Sequence, residues 1–128
     1  MAKILVVDDD QDIVDNIRIV LEKDGYVILS GNSRSEGMHL LSSEIPDLLI
    51  LDVMMEQADD GIAMAQEIRR TNGDLPILML TNISTLAGQE FSASRDIVPV
   101  SVFMDKPVSP EKLRRTIRDM LSGKETRL

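Results

Sequence analysis

The chain has 128 residues, a length typical of one domain, and its 22 acidic and 14 basic residues give a formal charge of −8. It contains no cysteine, which excludes disulfides and zinc–thiolate sites, and its acidic balance argues against direct binding of nucleic acid. No apolar stretch approaches the ~20 residues of a membrane span and no signal peptide is recognisable, so we expect a cytoplasmic chain with no membrane partner.

Five apolar segments rich in Val, Ile and Leu predict the strands of a parallel sheet. In chain order they read KILVV, YVILS, DLLILD, PILML and VSVFM, and the stretches between them have helical spacing. This alternation indicates an α/β fold, a doubly wound five-stranded sheet with helices on both faces. We expect one domain over residues 1–122 and a flexible tail over 123–128.

Apolar spacing and capping residues predict where the helices lie. Two apolar faces recur at helical spacing, one of Ile13, Ile17, Val20 and Leu21, the other of Ile62, Ala65 and Ile68. Gly25 is expected to stop the first helix, and a poorly patterned helix is expected between Ser84 and Asp96. The predicted capping residues are Asp10 and Asp12 for the first helix, Ser33 with Glu36 for the second, and Ser109 before Pro110 for the last.

Polar side chains follow four of the five predicted strands at the point where each strand ends. They are Asp8, Asp9 and Asp10 after the first strand, Asp52 after the third, Thr81 after the fourth and Lys106 after the fifth. Because the carboxyl ends of parallel strands share one edge of a sheet, we expect these side chains to converge. A lone aspartate in the apolar run LLILDVMM is costly to bury, so Asp52 either ends the strand or is a functional residue.

The chemistry of this cluster favours a metal ion and a phosphoryl group. Carboxylates held together resist ionising without a cation, so Asp8, Asp9 and Asp52 predict a divalent ion with oxygen ligands, Mg²⁺ or Mn²⁺. The ammonium of Lys106 and the hydroxyl of Thr81 could hold the oxygens of a transferring phosphoryl group. Asp52 would then be the nucleophile, since carboxylates accept phosphoryl groups covalently.

The segments ILVVDDD, LLILDVMM, PILMLT and FMDKPVSPEKL resemble the receiver domain of bacterial response regulators, the CheY-like family. The resemblance covers essentially the whole chain and implies a flavodoxin-like fold with strand order 2-1-3-4-5. It implies that Asp52 takes a phosphoryl group from the phosphohistidine of a sensor histidine kinase or from a phosphotransfer protein in a phosphorelay. The chain would thus be a signalling domain that catalyses its own phosphotransfer and dephosphorylation, and not an enzyme acting on a separate substrate.

The resemblance also implies a role for each matching residue. Asp9 would bind the metal directly, Asp8 through water, and Met54 through its backbone carbonyl, beside Asp52 itself. Lys106 would contact the phosphoryl group, Thr81 would turn toward it as the switch hydroxyl, and Phe103 would be either the coupled switch aromatic or an ordinary strand residue. An output partner would bind the face formed by the fourth helix, fifth strand and fifth helix, and a homodimer on phosphorylation would fit the family. His39 matches no motif.

The sequence departs from the family pattern at the rim of the site. Glu56 stands where the family has proline, the loop ending EQADDG is one residue longer, and Asn82 replaces the usual small residue after Thr81. The segment between Thr81 and Lys106 is also longer than expected. These changes leave the acceptor, metal and lysine positions intact but alter the rim of the site and the predicted fourth helix.

Two other functions stay open. VVDDD satisfies the D-x-D of a haloacid dehalogenase-type phosphohydrolase with Asp8 and Asp10, although nothing acidic follows Lys106 on a later strand and Asp52 would be unexplained. A non-phosphorylated interaction domain that keeps only the fold would be expected to have lost an acidic position or the lysine, and none is lost.

Overall fold

The computed structural model describes residues 2–53, 60–81, 102–106 and 108–122, which form five strands and four helices. The strands are β1 (Lys3–Val7), β2 (Val27–Gly31), β3 (Leu48–Asp52), β4 (Ile77–Thr81) and β5 (Val102–Asp105). The helices are α1 (Gln11–Glu22), α2 (Arg34–Glu44), α3 (Asp60–Thr71) and α4 (Pro110–Ser122). Strand and helix alternate within residues 2–53 and 60–81, as the apolar pattern predicts.

The five strands form one parallel sheet in the order β2-β1-β3-β4-β5. Its register is continuous across the centre, because Met79 of β4 lies opposite Leu51 of β3 on one side and Phe103 of β5 on the other. The predicted fold class and the order 2-1-3-4-5 are therefore confirmed. β2 and β5 are the two edge strands.

Alternate residues of each strand point to opposite faces of the sheet, and each face has its own hydrophobic core. The α1/α4 core packs Ile50, Leu78 and their neighbours against helices α1 and α4. The α2/α3 core packs Leu49, Met79 and their neighbours against helices α2 and α3. Since β3 and β4 are buried along their whole length, both strands read as continuous apolar runs.

Three predicted N-caps are confirmed by hydrogen bonds. The Asp10 carboxylate caps α1 by accepting from the Asp12 N–H at 3.0 Å, and the Ser33 hydroxyl caps α2 by accepting from the Glu36 N–H at 3.2 Å. The Ser109 hydroxyl precedes α4 and accepts from the backbone N–H three residues on at 3.3 Å. The prediction that Asp12 is a cap is wrong: it lies in the first turn of α1, where a carboxylate faces the positive end of the helix dipole.

The ends of two elements show local detail that refines the predictions. The Glu36 carboxylate accepts from the N–H of Asn32, one residue before the cap, at 2.6 Å. α1 ends before Gly25, whose φ of +91° is the left-handed conformation that favours glycine, so the predicted stop is confirmed. β2 begins one residue later than predicted, because Tyr26 extends the apolar pattern but lies outside the ladder.

Some predictions lie outside the described residues. They are the helix between Ser84 and Asp96, the tail 123–128, and the residues Met54, Glu56 and Asn82. Within the described ranges, none of the helices is both long and apolar enough to cross a membrane.

Candidate functional site

The carboxyl ends of four strands meet at one edge of the sheet, and backbone hydrogen bonds fix their positions. The N–H of Asp8 donates to Gly31 at 3.1 Å, and the N–H of Lys106 donates to the carbonyl of Thr81 at 2.9 Å. Just beyond Asp52, the N–H of Val53 donates across to β4 at 3.0 Å. Backbone hydrogen bonds between neighbouring strands therefore fix the positions of the predicted residues.

Three carboxylates form a cluster at this edge. One oxygen from each of Asp8, Asp9 and Asp52 lies within 4.8 Å of the other two. Asp8 and Asp52 are buried, with 1% and 4% of their surface exposed, whereas Asp9 is exposed and opens the cluster to solvent. A set made only of carboxylate oxygens suits a hard divalent cation, so these residues could hold the metal that the sequence predicts.

Lys106 joins the two buried carboxylates. Its Nζ lies 2.8 Å from Oδ1 of Asp52 and 3.4 Å from Oδ2 of Asp8. Burial lowers the pKa of Lys106, but its hydrogen bonds to Asp52 and Asp8 and their negative charges outweigh burial, so the pKa is raised above its ordinary value. The ammonium is therefore held charged beside the carboxylate that sequence reasoning identifies as the acceptor.

Asp8 is the carboxyl most perturbed by its surroundings. Burial, aided by the charge of Asp52, raises the pKa of Asp8 from 3.8 to about 6, although the Asp10 N–H and Lys106 act in the opposite direction. That N–H donates to Oδ1 of Asp8 at 2.9 Å, which fixes the orientation of the carboxyl. A cation at the cluster would relieve the cost of ionising Asp8.

The two predicted switch residues lie on β4 and β5, two of the strands that end at this edge. The Thr81 hydroxyl is buried and makes no hydrogen bond within the described part of the chain. Phe103 is partly buried and packs against the α2/α3 core. The structure thus places Thr81 at the end of β4 with an unsatisfied hydroxyl, whose desolvation is costly.

Gly61 contributes to the site in a way that the sequence did not reveal. Its N–H donates to the carbonyl of Val53 at 2.8 Å, joining the start of α3 to the end of β3. A Cβ at this position would lie 2.8 Å from the carbonyl carbon of Asp52 and 2.7 Å from Cα of Val53, closer than real side chains approach. The signal was a glycine at the start of a helical pattern, which alone does not distinguish close packing from a turn.

Other candidates lie outside the cluster. Asp10 is occupied as the cap of α1, and among the described residues the carboxylate cluster takes in Asp9 and not Asp10. His39 is exposed on α2, away from the strand ends. The predicted carbonyl ligand Met54 lies outside the described residues.

An apolar groove of about 430 Å³ adjoins the cluster between α1 and α4. Lys106 lies in its wall, so the groove and the cluster share a side chain. The other lining residues are mostly aliphatic: Ile13, Asn16, Ile17, Ile19, Val20, Val108, Pro110 and Leu113. Ile19 is 58% exposed.

Comparison with known sequences supports the resemblance. The family model of the response regulator receiver domain matches residues 4–118. A probable transcriptional regulator, ycf27 of Guillardia theta, is 36% identical over 93% of the chain, which covers 45% of that relative. The alkaline phosphatase synthesis transcriptional regulatory protein PhoP of Bacillus subtilis is 33% identical over 96% of the chain, which covers 50% of it. The chain thus spans about half the length of these curated relatives.

Solved structures show the same fold. A response regulator receiver domain protein from Clostridium thermocellum superposes with a TM-score of 0.83 at 26% identity, over 100% of both chains. A putative response regulator from Chloroflexus aurantiacus has a TM-score of 0.80 at 29% identity, over 94% of this chain and 98% of that one.

Proposed function

Because the chain belongs to the response regulator receiver family, we propose that it is a phosphorylation switch in which Asp52 accepts a phosphoryl group. The observation that carries the proposal is the contact of Asp52 with Lys106 at 2.8 Å, inside a carboxylate cluster fit for a divalent cation. The receiver domain would comprise residues 1–122 and act in the cytoplasm.

The proposed reaction is an in-line displacement at phosphorus. An oxygen of the Asp52 carboxylate forms a bond to phosphorus as the phosphorus–nitrogen bond of a donor phosphohistidine breaks, and the imidazole leaves with the electron pair. Lys106 is already charged and within hydrogen-bonding distance of the acceptor, so it can hold a phosphoryl oxygen without a change of protonation. Transfer to water by the same geometry would dephosphorylate the domain.

Asp8 and Asp9, with Asp52, would hold Mg²⁺ or Mn²⁺, and Met54 would add its backbone carbonyl. Bound there, the cation would neutralise charge on the phosphoryl oxygens. Asp8 contributes a buried carboxyl of fixed orientation, and Asp9 contributes one that solvent reaches.

The test of the acceptor is labelling by acetyl phosphate with Mg²⁺, read as intact mass. Wild type should gain one phosphoryl group and Asp52→Asn none. Asp105→Asn is a matched control, because it removes an exposed carboxylate at the end of β5 on the same edge of the sheet. Equal labelling of wild type and Asp52→Asn would contradict the proposal.

Metal binding separates this proposal from the phosphohydrolase alternative. Asp9→Asn should weaken Mg²⁺ binding far more than Asp10→Asn, because Asp9 is in the cluster and asparagine caps α1 as well as aspartate does. A D-x-D hydrolase needs Asp10, so a larger loss in Asp10→Asn would favour that reading. The comparisons and the position of Asp10 do not favour it.

We propose that the phosphodonor, a sensor histidine kinase or phosphotransfer protein, packs in the apolar groove between α1 and α4. Its wall includes Lys106, so a protein seated there can place a phosphohistidine beside Asp52. Ile19→Asp should leave labelling by acetyl phosphate intact and slow transfer from a phosphorylated donor protein. A slowing of both reactions would show a damaged acceptor site instead.

We propose that phosphorylation changes a surface of the domain to which a second protein binds. Thr81 and Phe103 would respond to phosphorylation and alter the face that includes β5 and α4, with the predicted helix between Ser84 and Asp96 outside the described residues. A homodimer formed on phosphorylation is one such output. Direct contact with nucleic acid is not proposed for this acidic chain. Hydrogen exchange with and without beryllofluoride should change at β5, and an unchanged pattern there would contradict this part.

A further inference from the structure

The outer edge of β2 is a surface that the proposed function does not use. Among the described residues, β2 is the edge strand on one side of the sheet and pairs with β1 alone. The N–H of Val27 donates to Ala2 at 2.9 Å, and the carbonyl of Gly31 accepts from Asp8 at 3.1 Å, so alternate residues of β2 direct their backbone groups toward β1. The backbone groups of the residues between them, Ile28 and Ser30, consequently point outward.

An outward-facing strand edge is a template on which a strand of another chain can pair. This edge has two features that would favour pairing. Val27, at its start, is an apolar residue with 42% of its surface exposed. The first two residues of the strand, Val27 and Ile28, also have high β-propensity.

Arg18 of α1 covers this edge. Its Nη1 donates to the carbonyl of Ile28 at 3.0 Å, and its Nη2 donates to the hydroxyl of Ser30 at 3.1 Å. The carboxylate of Glu22, one turn further along α1, lies 3.7 Å from Nη1 and helps to orient the guanidinium. The guanidinium of Arg18 therefore bonds both the outward carbonyl of Ile28 and the side chain of Ser30, two residues away.

We infer that Arg18 is a guard residue that keeps the edge of β2 closed to strand addition by a second copy of this chain. A copy that added a strand here would have to displace the guanidinium from Ile28 and leave a charged group beside the new backbone pair. Loss of Arg18 removes that obstacle without touching the carboxylate cluster. The inference is independent of phosphorylation.

The test uses the unphosphorylated full chain and the variant Arg18→Met, which keeps an unbranched side chain and helix propensity but removes the guanidinium. Sedimentation equilibrium over a concentration series should show an association constant raised about tenfold or more relative to wild type. The backbone amides of Ile28 and Ser30 should become more protected from hydrogen exchange as the variant associates. Arg70→Met makes the same charge change at an exposed position of α3 and should behave as wild type.

A second substitution shows whether association uses the edge. Val27→Lys places a charge on the edge, so the double variant Arg18→Met with Val27→Lys should return to the wild-type association constant. Circular dichroism identifies any variant that fails to fold, in which case Arg18→Gln, which also removes the guanidinium and keeps helix propensity, is compared with wild type in the same sedimentation experiment. The inference is overturned if folded Arg18→Met associates no more than wild type. It is equally overturned if association persists with Val27→Lys in place, or if Arg18→Gln, where it replaces Arg18→Met, associates no more than wild type.

Discussion

Replacing Asp8 by asparagine should stabilise the metal-free protein at neutral pH. Folding raises the pKa of this carboxyl from 3.8 to about 6, mainly because it is buried. At about 1.4 kcal/mol for each pKa unit, that difference corresponds to about 3 kcal/mol. Solvent reaches the cluster through Asp9 and screens the charges, so we expect roughly half of this, about 1 to 2 kcal/mol.

The direction of the pH dependence follows from where the proton binds more tightly. The folded chain holds the Asp8 proton up to about pH 6, whereas the unfolded chain releases it near 3.8. Between these values the folded state binds more protons, so the free energy of unfolding falls as pH rises. Above about pH 6 the whole cost of ionising Asp8 is present. The Asp8→Asn variant has no such cost, so its advantage over wild type should be near zero at about pH 4 and reach its plateau above about pH 7.

Urea unfolding in the presence of a chelator, repeated across this pH range, measures the effect. Asp12→Asn is the matched control, because it removes an exposed carboxylate from the first turn of α1, outside the carboxylate cluster. Adding Mg²⁺ should stabilise wild type more than Asp8→Asn, since the ionised carboxylate is the form that binds a cation. A variant that is less stable than wild type at pH 8 without metal would refute the reasoning, as would an advantage independent of pH.

Two further predictions concern packing and a surface ion pair. Gly61→Ala should lower the free energy of unfolding by about 1 to 3 kcal/mol, because its Cβ would overlap the backbone at the end of β3. Gly73→Ala, whose Cβ would meet nothing within 4 Å, should be close to neutral in the same urea titration, and similar losses in both variants would contradict this explanation. The side chain of Arg114 forms two hydrogen bonds to the Asp24 carboxylate, at 2.8 and 3.0 Å, and lowers its pKa. Arg114→Ala should therefore raise the Asp24 pKa toward its ordinary value in an NMR titration, while Arg115→Ala should have a smaller effect, and no movement in Arg114→Ala would show that the pair does not form in solution.

The fold was predictable because its signals are local and repeated. β3 and β4 are buried on both faces, so their sequences are apolar at every position up to the polar residue that ends each strand. Ser33 and Ser109 mark helix starts through hydrogen bonds to residues three positions away, which a sequence displays directly. The strand order was not derivable from such signals and came from the family resemblance.

The sequence predicted which residues belong to the site, but not which of them contact one another. Parallel topology explains why Asp8, Asp52 and Lys106 share an edge, yet no sequence rule states that one ammonium contacts both carboxylates. Gly61 was missed as a packing residue for the same reason, because its constraint is a distance to the backbone of another element. The pairing of Arg18 with the edge of β2 likewise depends on helix placement and cannot be read from spacing.

The alternation of strand residues between two cores places the buried residues of the cluster and the predicted switch residues on opposite faces of the sheet. Asp8, Asp52 and Lys106 continue the residues that point into the α1/α4 core, whereas Thr81 and Phe103 continue those that point into the α2/α3 core. In the proposed function, a phosphoryl group arrives on one side of the sheet and is sensed by residues whose side chains belong to the other. A donor seated between α1 and α4 and an output partner on the face of β5 and α4 would both contact α4, so this one helix would take part in delivery and in readout. The conformational change that follows phosphorylation would then pass through the sheet, from the side chains on one face to those on the other.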